Sequence, residues 1–212
     1  VKLSIITATW NSALTLPSTL ESLERQTSGA FESIVVDGGS TDDTLDLVKS
    51  SPVVTRWVSE KDQGIYDALN KGIALAQGEY VGFLHSDDVF ASALSVERLL
   101  EYIGSSAADA VYADLQYVDK DDLFKVVRHW KSGRVTVKKL RLGWMPPHPT
   151  FYMKKSLYEK HGVFDLSYKI AADYDSLLRY LYLHQVIPSY LPEVLVKMRV
   201  GGVSNRSIKN IL

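Results

Sequence analysis

Four short apolar runs in the first ninety residues each end in a polar, mostly acidic turn, and this recurrence constrains the fold more than any other feature of the chain. Leu3 to Ala8 runs into Asn11-Ser12, and Ser33 to Asp37 into Gly38-Gly39-Ser40-Thr41-Asp42. Pro52 to Ser59 runs into Asp62-Gln63-Gly64, and Tyr80 to His85 into Ser86-Asp87-Asp88. Runs this short, rich in Ile, Val and Thr and bounded by turn residues, are predicted strands covered on both faces. Between them the apolar period changes to that of a helix. Leu16, Leu20 and Leu23 recur at helical spacing with Pro17 in the first turn, a helix extends through Val48, and another covers Ile65 to Ala76 before Gly78. Strands alternating with helices predict an α/β fold, a mostly parallel sheet with helices on both faces. Ligands of such sheets bind at the carboxyl ends of the strands. Asp37, Asp62, Asp87 and Asp88 are therefore expected along one rim.

The second half has another pattern. Ala110 to Val118 and Phe124 to Trp130 flank Asp119-Lys120-Asp121-Asp122 as a predicted hairpin, and Trp144 to Pro149 (WMPPHP) is a stiff loop. A short strand, a helix near Ser156 to His161, a helix from Asp173 to about Leu183 and a closing strand around Leu195 to Arg199 follow. No low-complexity linker or repeat interrupts the chain, so one domain is expected over 1–212, in two halves of different pattern, 1–115 and 116–212.

Composition removes several classes of function. Lysine plus arginine total 24 against 25 aspartate plus glutamate, which gives no reason to expect nucleic acid as a partner. With no cysteine there are no disulfides, thiolate zinc sites or cysteine nucleophiles, and a reducing compartment suits the chain. No apolar run approaches the ~20 residues of a membrane-spanning helix, and the first residues lack the signal-peptide pattern. The expected location is cytoplasmic, extending to the inner face of the membrane. Asn205-Arg206-Ser207 has the form of a glycosylation acceptor, which carries no weight in that compartment. Neither G-x-G-x-x-G nor G-x-x-x-x-G-K-[ST] occurs, against dinucleotide oxidoreductases and P-loop NTPases.

Each rim segment has two readings when taken alone. Adjacent carboxylates at Asp87 and Asp88 repel one another and are kept ionised by a cation, and all-oxygen ligation suits magnesium or manganese; the same residues also serve as a solvated turn that caps a helix. The glycines after Asp37 permit close backbone approach and the aspartates offer acceptors to a nucleoside, or the segment is a capping turn. Asp173 is a candidate general base on a helix N-terminus, or a first-turn acid complementing the helix dipole. His148 in the proline-rich loop is a candidate for metal or diphosphate, or a structural histidine. Arg199 suits a bidentate phosphate contact or an ordinary surface pair. Lys138-Lys139-Leu140-Arg141 is a lipid contact or a solvated helix face, and Tyr66, Trp130 and Trp144 are sugar-stacking or core aromatics.

In order and spacing, these segments resemble the family 2 glycosyltransferases of the GT-A fold, inverting enzymes that build bacterial polysaccharides. Ser4 to Asn11 (SIITATWN) is similar to that family's opening strand and donor loop. Val36 to Asp42 (VDGGSTD) is similar to its base-contacting turn, Glu60 to Gly72 (EKDQGIYDALNKG) to its next characteristic block, and His85-Ser86-Asp87-Asp88 to its metal-binding motif. The likeness spans roughly residues 3 to 204. It implies a transferase that moves a sugar from a nucleoside diphosphate, UDP by default, to a hydroxyl of a saccharide or lipid-linked saccharide, in polysaccharide or glycolipid biosynthesis.

Position by position, the resemblance implies donor contacts at Thr7, Thr9, Asn11, Asp37, Asp62 and Arg199, a ribose contact at Asp87, a divalent cation (Mn2+ or Mg2+) on Asp88 with His148 beside it, and Asp173 as base. Where the family usually has Glu-Asp, this chain has Ala172-Asp173, which keeps the base and removes a neighbouring carboxylate. The Gln-x-x-Arg-Trp motif of processive members is missing, so a single transfer is implied. Two other readings stand beside it: a nucleotide-sugar-binding protein without activity, and a sugar nucleotidyltransferase. Against the second, residues 8–15 (ATWNSALT) contain neither the glycine nor the basic residue of a triphosphate loop.

Overall fold

The computed structural model describes residues 2–201. Its centre is β1 (Leu3–Thr9), whose residues are all buried and which pairs in parallel with β2 (Phe31–Asp37) on one side and β4 (Tyr80–Phe83) on the other. β3 (Val54–Ser59) extends the parallel part beyond β2. Side-chain alternation divides the core in two. Leu3 and Ile5 face α1 (Leu16–Glu24), α2 (Thr44–Ser50) and α4 (Ser95–Ser106), whereas Ile6 and Ala8 face α3 (Ile65–Leu75), α6 (Lys155–His161) and α7 (Ala172–Leu178). Sheet burial on both faces explains why these strands read as continuous apolar runs.

The parallel character stops at β4. β8 (Tyr152–Lys154) pairs antiparallel with β4, and β6 (Ala110–Val118) pairs antiparallel with β8 and then with β7 (Val126–Trp130). β9 (Pro188–Arg199) runs parallel to β6, and the two-residue β5 (Val89–Phe90) joins its far side. The main path is β3-β2-β1-β4-β8-β6-β9-β5, one mixed sheet. The strand order reverses beside β1, which opens a crevice at the carboxyl ends of β1 and β4.

The expected hairpin is present as β6 and β7. The closing strand is longer than predicted. It starts at Pro188, and Pro192-Glu193 form an irregularity opposite Ala113 and Asp114, so two prolines disguise a strand that bulges around them. The single helix expected from Asp173 to Leu183 is α7 followed by a wider π turn over Arg179–Leu183. α4 and β5 add to the predicted elements, and Lys138 to Arg141 lie in a short helix, α5 (Val137–Arg141).

Candidate active site

Register builds the floor of the site. Thr9, Asp37 and Ser59 are paired across β1, β2 and β3, so their side chains form a row where these strands end. Asp37 is buried in the middle of the row. Its Oδ1 accepts from Thr9 Oγ1 at 3.1 Å and from the Ser40 hydroxyl; its Oδ2 accepts from Ser59 Oγ at 2.7 Å and from the backbone N–H groups of Gly39 (3.2 Å) and Ser40 (3.0 Å). Burial pushes this carboxyl up, and the combined donors outweigh it, leaving the acid below its ordinary value. Asp37 thus spends its acceptor capacity on the turn that follows it and on the two strands beside it.

That turn is welded to the loop after β1. Asn11, at a φ of 47° that asparagine tolerates better than most residues, donates its N–H to Ser40 Oγ at 2.8 Å and accepts from Thr41 N–H at 2.9 Å. Asp42 accepts from Ala13 N–H at 3.1 Å, and the Ser12 and Ser86 hydroxyls meet at 3.0 Å. A Cβ on Gly38 would stand 2.6 Å from Asp62 Oδ2, so the glycine is what lets the half-buried Asp62 carboxylate lie over the turn. Thr7, expected among the donor contacts, is fully buried two residues inside the strand, out of reach of a ligand at the rim. Trp10, absent from the expected contacts, is 68 % exposed at the tip of the same loop. A tryptophan directly after the first apolar run and before Asn11-Ser12 was the available sequence signal.

The acid pair is held by its backbone and left free at its carboxylates. Thr19 on α1 donates to the Asp88 carbonyl at 2.8 Å, and Asp88 N–H donates to the His85 carbonyl at 3.0 Å. Arg199, expected on phosphate, donates instead to the Asp87 carbonyl, to Ser18 Oγ at 3.0 Å and to the Lys120 carbonyl at 3.1 Å. It clamps the acidic turn between α1, β9 and the loop after β6. Asp88 is buried, yet among the described residues neither of its carboxylate oxygens has a hydrogen-bond partner. Burial first, and the neighbouring Asp87 second, push its pKa well above the usual carboxylate range. A buried, unpartnered carboxylate is costly in water-excluding surroundings and is suited to receive a cation. Among the described residues no group of three or more His, Asp or Glu side chains is spaced to hold an ion unaided.

A second cluster faces this pair across the crevice. Asp173, in the first turn of α7, accepts from Tyr66 Oη at 3.1 Å. Tyr66 lies on α3 one turn before Asn70, whose side-chain amide exchanges two 2.9 Å hydrogen bonds with the backbone of Phe164. α3 therefore holds both Asp173 and the loop ahead of α7. Burial, then the charge of Asp173, raise the Tyr66 pKa to about 12, which keeps the phenol a donor. His148 begins a buried 3-10 turn, stacked on Phe83 at 5.0 Å and edge-on to Phe164 at 5.5 Å. Burial lowers its pKa to about 4; the charges it feels are those of Asp173 and His85. His148 belongs with the base candidate, apart from Asp88. His85 lies between the two clusters: burial lowers its pKa against the opposing charges of Asp87 and Asp173, and its Nδ1 is buried without a partner among the described residues.

The remaining aromatic candidates are structural. Trp130 stacks on Tyr117 at 6.3 Å, and Trp144 packs edge-on to Tyr112 at 6.5 Å beneath Lys139. The Asn205-Arg206-Ser207 tripeptide lies outside the described residues.

Residues 4–172 match the family described as Glycosyl transferase family 2. A "PGL/p-HBAD biosynthesis glycosyltransferase" of Mycobacterium bovis is 34 % identical over 215 residues, covering 95 % of this chain and 78 % of that protein. An "Uncharacterized glycosyltransferase Rv1514c" of Mycobacterium tuberculosis is 34 % identical over 179 residues, 83 % of this chain and 67 % of its own length. Among solved structures, S. aureus TarS 1-349 in complex with UDP-GlcNAc superposes with a TM-score of 0.81 at 22 % identity over 98 % of this chain. The mannosyltransferase PcManGT from Pyrobaculum calidifontis, in complex with GDP-Man and Mn2+, superposes with a TM-score of 0.71 at 20 % identity over 96 % of it. The chain spans 61 % and 58 % of those two chains, respectively. These likenesses place the mixed sheet and its helices in the GT-A fold.

Proposed function

The chain belongs to glycosyl transferase family 2 and is a glycosyltransferase, and from that premise we propose that it moves one sugar from a nucleoside diphosphate, UDP first among the candidates, to an acceptor hydroxyl with inversion. The observation that carries this reading is the pair of unlike carboxylates across one crevice: Asp88 buried with no partner among the described residues, Asp173 held by Tyr66 at a helix start.

On the donor side, Trp10 offers an exposed face on which a base can stack. Asp62, lying over Gly38, offers an acceptor to the base, and Asp87 an acceptor to the ribose. Thr9, Asn11 and Asp37 act through the turn they hold together, and Arg199 acts by fixing the Asp87 backbone. Asp88 would hold a divalent cation together with diphosphate oxygens, as ions of this class are commonly shared between one or two carboxylates and a phosphate. When bound, such an ion neutralises the charge that develops on the leaving diphosphate. Manganese in the PcManGT complex supports that choice.

On the acceptor side, Asp173 takes the proton of the attacking hydroxyl as its oxygen bonds to the anomeric carbon, and the nucleoside diphosphate departs from the opposite face. A positioned base of this kind contributes about 10²–10⁴-fold. Tyr66 orients Asp173. His85 and His148, kept neutral by burial, border the space between the acids without adding charge to it. A saccharide or lipid-linked saccharide is the acceptor class, with cytoplasmic chemistry at the inner face of the membrane; no helix among the described residues is long and apolar enough to cross a bilayer.

Turnover of UDP-, GDP- and dTDP-sugars with manganese and a saccharide acceptor tests this directly, with product anomers read by NMR. Inverted product from the wild type, and an Asp173→Asn variant that binds donor but transfers at least about 100-fold more slowly, are expected. Wild-type turnover by that variant would remove Asp173 from the role of base.

A further inference from the structure

Charge is unevenly distributed along this chain. Residues 123–158 contain nine Lys and Arg and no Asp or Glu, while the rest carries 15 basic against 25 acidic residues. α5 lies inside this segment, with Thr136 as its N-cap. Leu140 is its buried anchor, and Val137, Lys138, Arg141 and the following Leu142 are exposed. Val137 and Arg141, and Lys138 and Leu142, are each four residues apart, so apolar and basic side chains alternate around one outward face.

The same face continues onto the π turn. Arg141 donates from Nη2 and Nε to the Tyr182 hydroxyl at 2.8 and 3.2 Å and lies over its ring. Beside Tyr182, Leu183 is 67 % exposed and Ile187 75 %, and residues 180–187 contain no acid. On the neighbouring helix, the Asp175 carboxylate is engaged by Arg179 at 3.7 Å. Exposed leucine and isoleucine framed by lysine and arginine are the composition of a surface that sits at a bilayer interface. It also borders the base: a Cβ on Gly143, just after α5, would stand 3.9 Å from the hydroxyl of Tyr174, the residue after Asp173.

We propose that α5 and residues 182–187 form the face by which this protein docks on an anionic membrane, with Leu142, Leu183 and Ile187 inserted among the headgroups and Lys138 and Arg141 on their phosphates. The docked orientation brings Asp173 to the bilayer surface, where the hydroxyl of a lipid-linked acceptor would be presented; that consequence rests on the function proposed above, whereas docking itself does not.

Co-sedimentation of the chain with phosphatidylcholine vesicles, with and without phosphatidylglycerol, tests the docking. Binding is expected only with the anionic lipid and is expected to weaken as salt is raised. Each basic charge at such a surface contributes roughly fivefold in affinity, so Lys138→Glu should weaken binding by at least about tenfold. Leu183→Asp should abolish it. Both positions are exposed, so both variants should keep wild-type melting temperatures and wild-type donor binding. Equal binding to neutral vesicles, no binding to either, wild-type binding by both variants, or a concentration-dependent dimer abolished by Leu183→Asp without vesicle binding would each overturn the proposal. Donor binding measured on the same samples is independent of the outcome and reports separately on the transferase reading.

Discussion

The two sides of the acidic rim carry the same residue type in opposite states. Asp37 accepts hydrogen bonds from five donors of its own chain and is held below its ordinary pKa, whereas Asp88, in the turn between β4 and β5, accepts none among the described residues and is pushed well above it. Both are about 1 % exposed, so surface exposure does not distinguish them, although Asp88 is packed more deeply. They differ most in the supply of local donors. In the proposed function the saturated carboxylate supports its turn, and the unsaturated one receives the charge of a ligand. Asp173, with its one bond from Tyr66, is nearer the second kind.

This contrast breaks most sharply on substitution of Asp88. Asp88→Asn should reduce ion-dependent donor affinity by at least about 100-fold, since a charge-assisted ion contact is lost outright. Without ligand it should melt no lower than wild type, because it removes an unpaired buried charge. Asp37→Ala should do the reverse at first reading: a loss of about 1–3 kcal/mol in stability from its stranded donors, measured by denaturant unfolding, with weaker donor binding only as the turn loosens. The sign of its pH dependence follows from the lowered pKa. The stability contributed by Asp37 is present above the unfolded value near 3.8 and is lost as pH falls through the lower folded value, so the wild type and Asp37→Ala should converge in strong acid.

Smaller effects refine the boundary between contact and support. Arg199→Ala should weaken donor binding by roughly tenfold, about 1.4 kcal/mol, through a looser acidic turn. It should also leave the salt dependence of donor binding unchanged, because the guanidinium is spent on carbonyls and a hydroxyl. A steep change in salt dependence would restore Arg199 to the phosphates. Tyr66→Phe should lower kcat by about three- to tenfold, the value of one hydrogen bond, with the donor KM unchanged; an equal change in donor KM would place Tyr66 on the donor.

The parts of the molecule legible in sequence are those whose physics is local. β1, β2 and β4 are buried on both faces, and an unbroken apolar run such as Leu3 to Ala8 reports that directly. α4 was missed, although Val96, Leu99 and Ile103 recur at helical spacing on its buried side. The start of β9 was hidden because Pro188 and Pro192 argue against a strand unless the bulge that accommodates them is known. Site residues divide in the same way. The acids and their strand-end positions follow from the sequence, because the strands that carry them do. Their partners do not. Nothing in the neighbourhood of Arg199 says that its guanidinium meets the carbonyls of Asp87 and Lys120, or that His148 stands with Asp173, since these contacts depend on how β9 and the loop before β8 fold across the crevice.

The central claim is that the unsatisfied Asp88 receives a cation together with a nucleoside diphosphate. Its most direct test is the melting temperature of the wild-type chain against UDP-, GDP- and dTDP-sugars, each with and without manganese. A donor at a hundredfold its Kd adds about 2.7 kcal/mol, or a rise of about 5–10 °C for a domain of this size. The account predicts that rise for one nucleotide and only when manganese is present; an equal rise without the ion, or none with any donor, would contradict it.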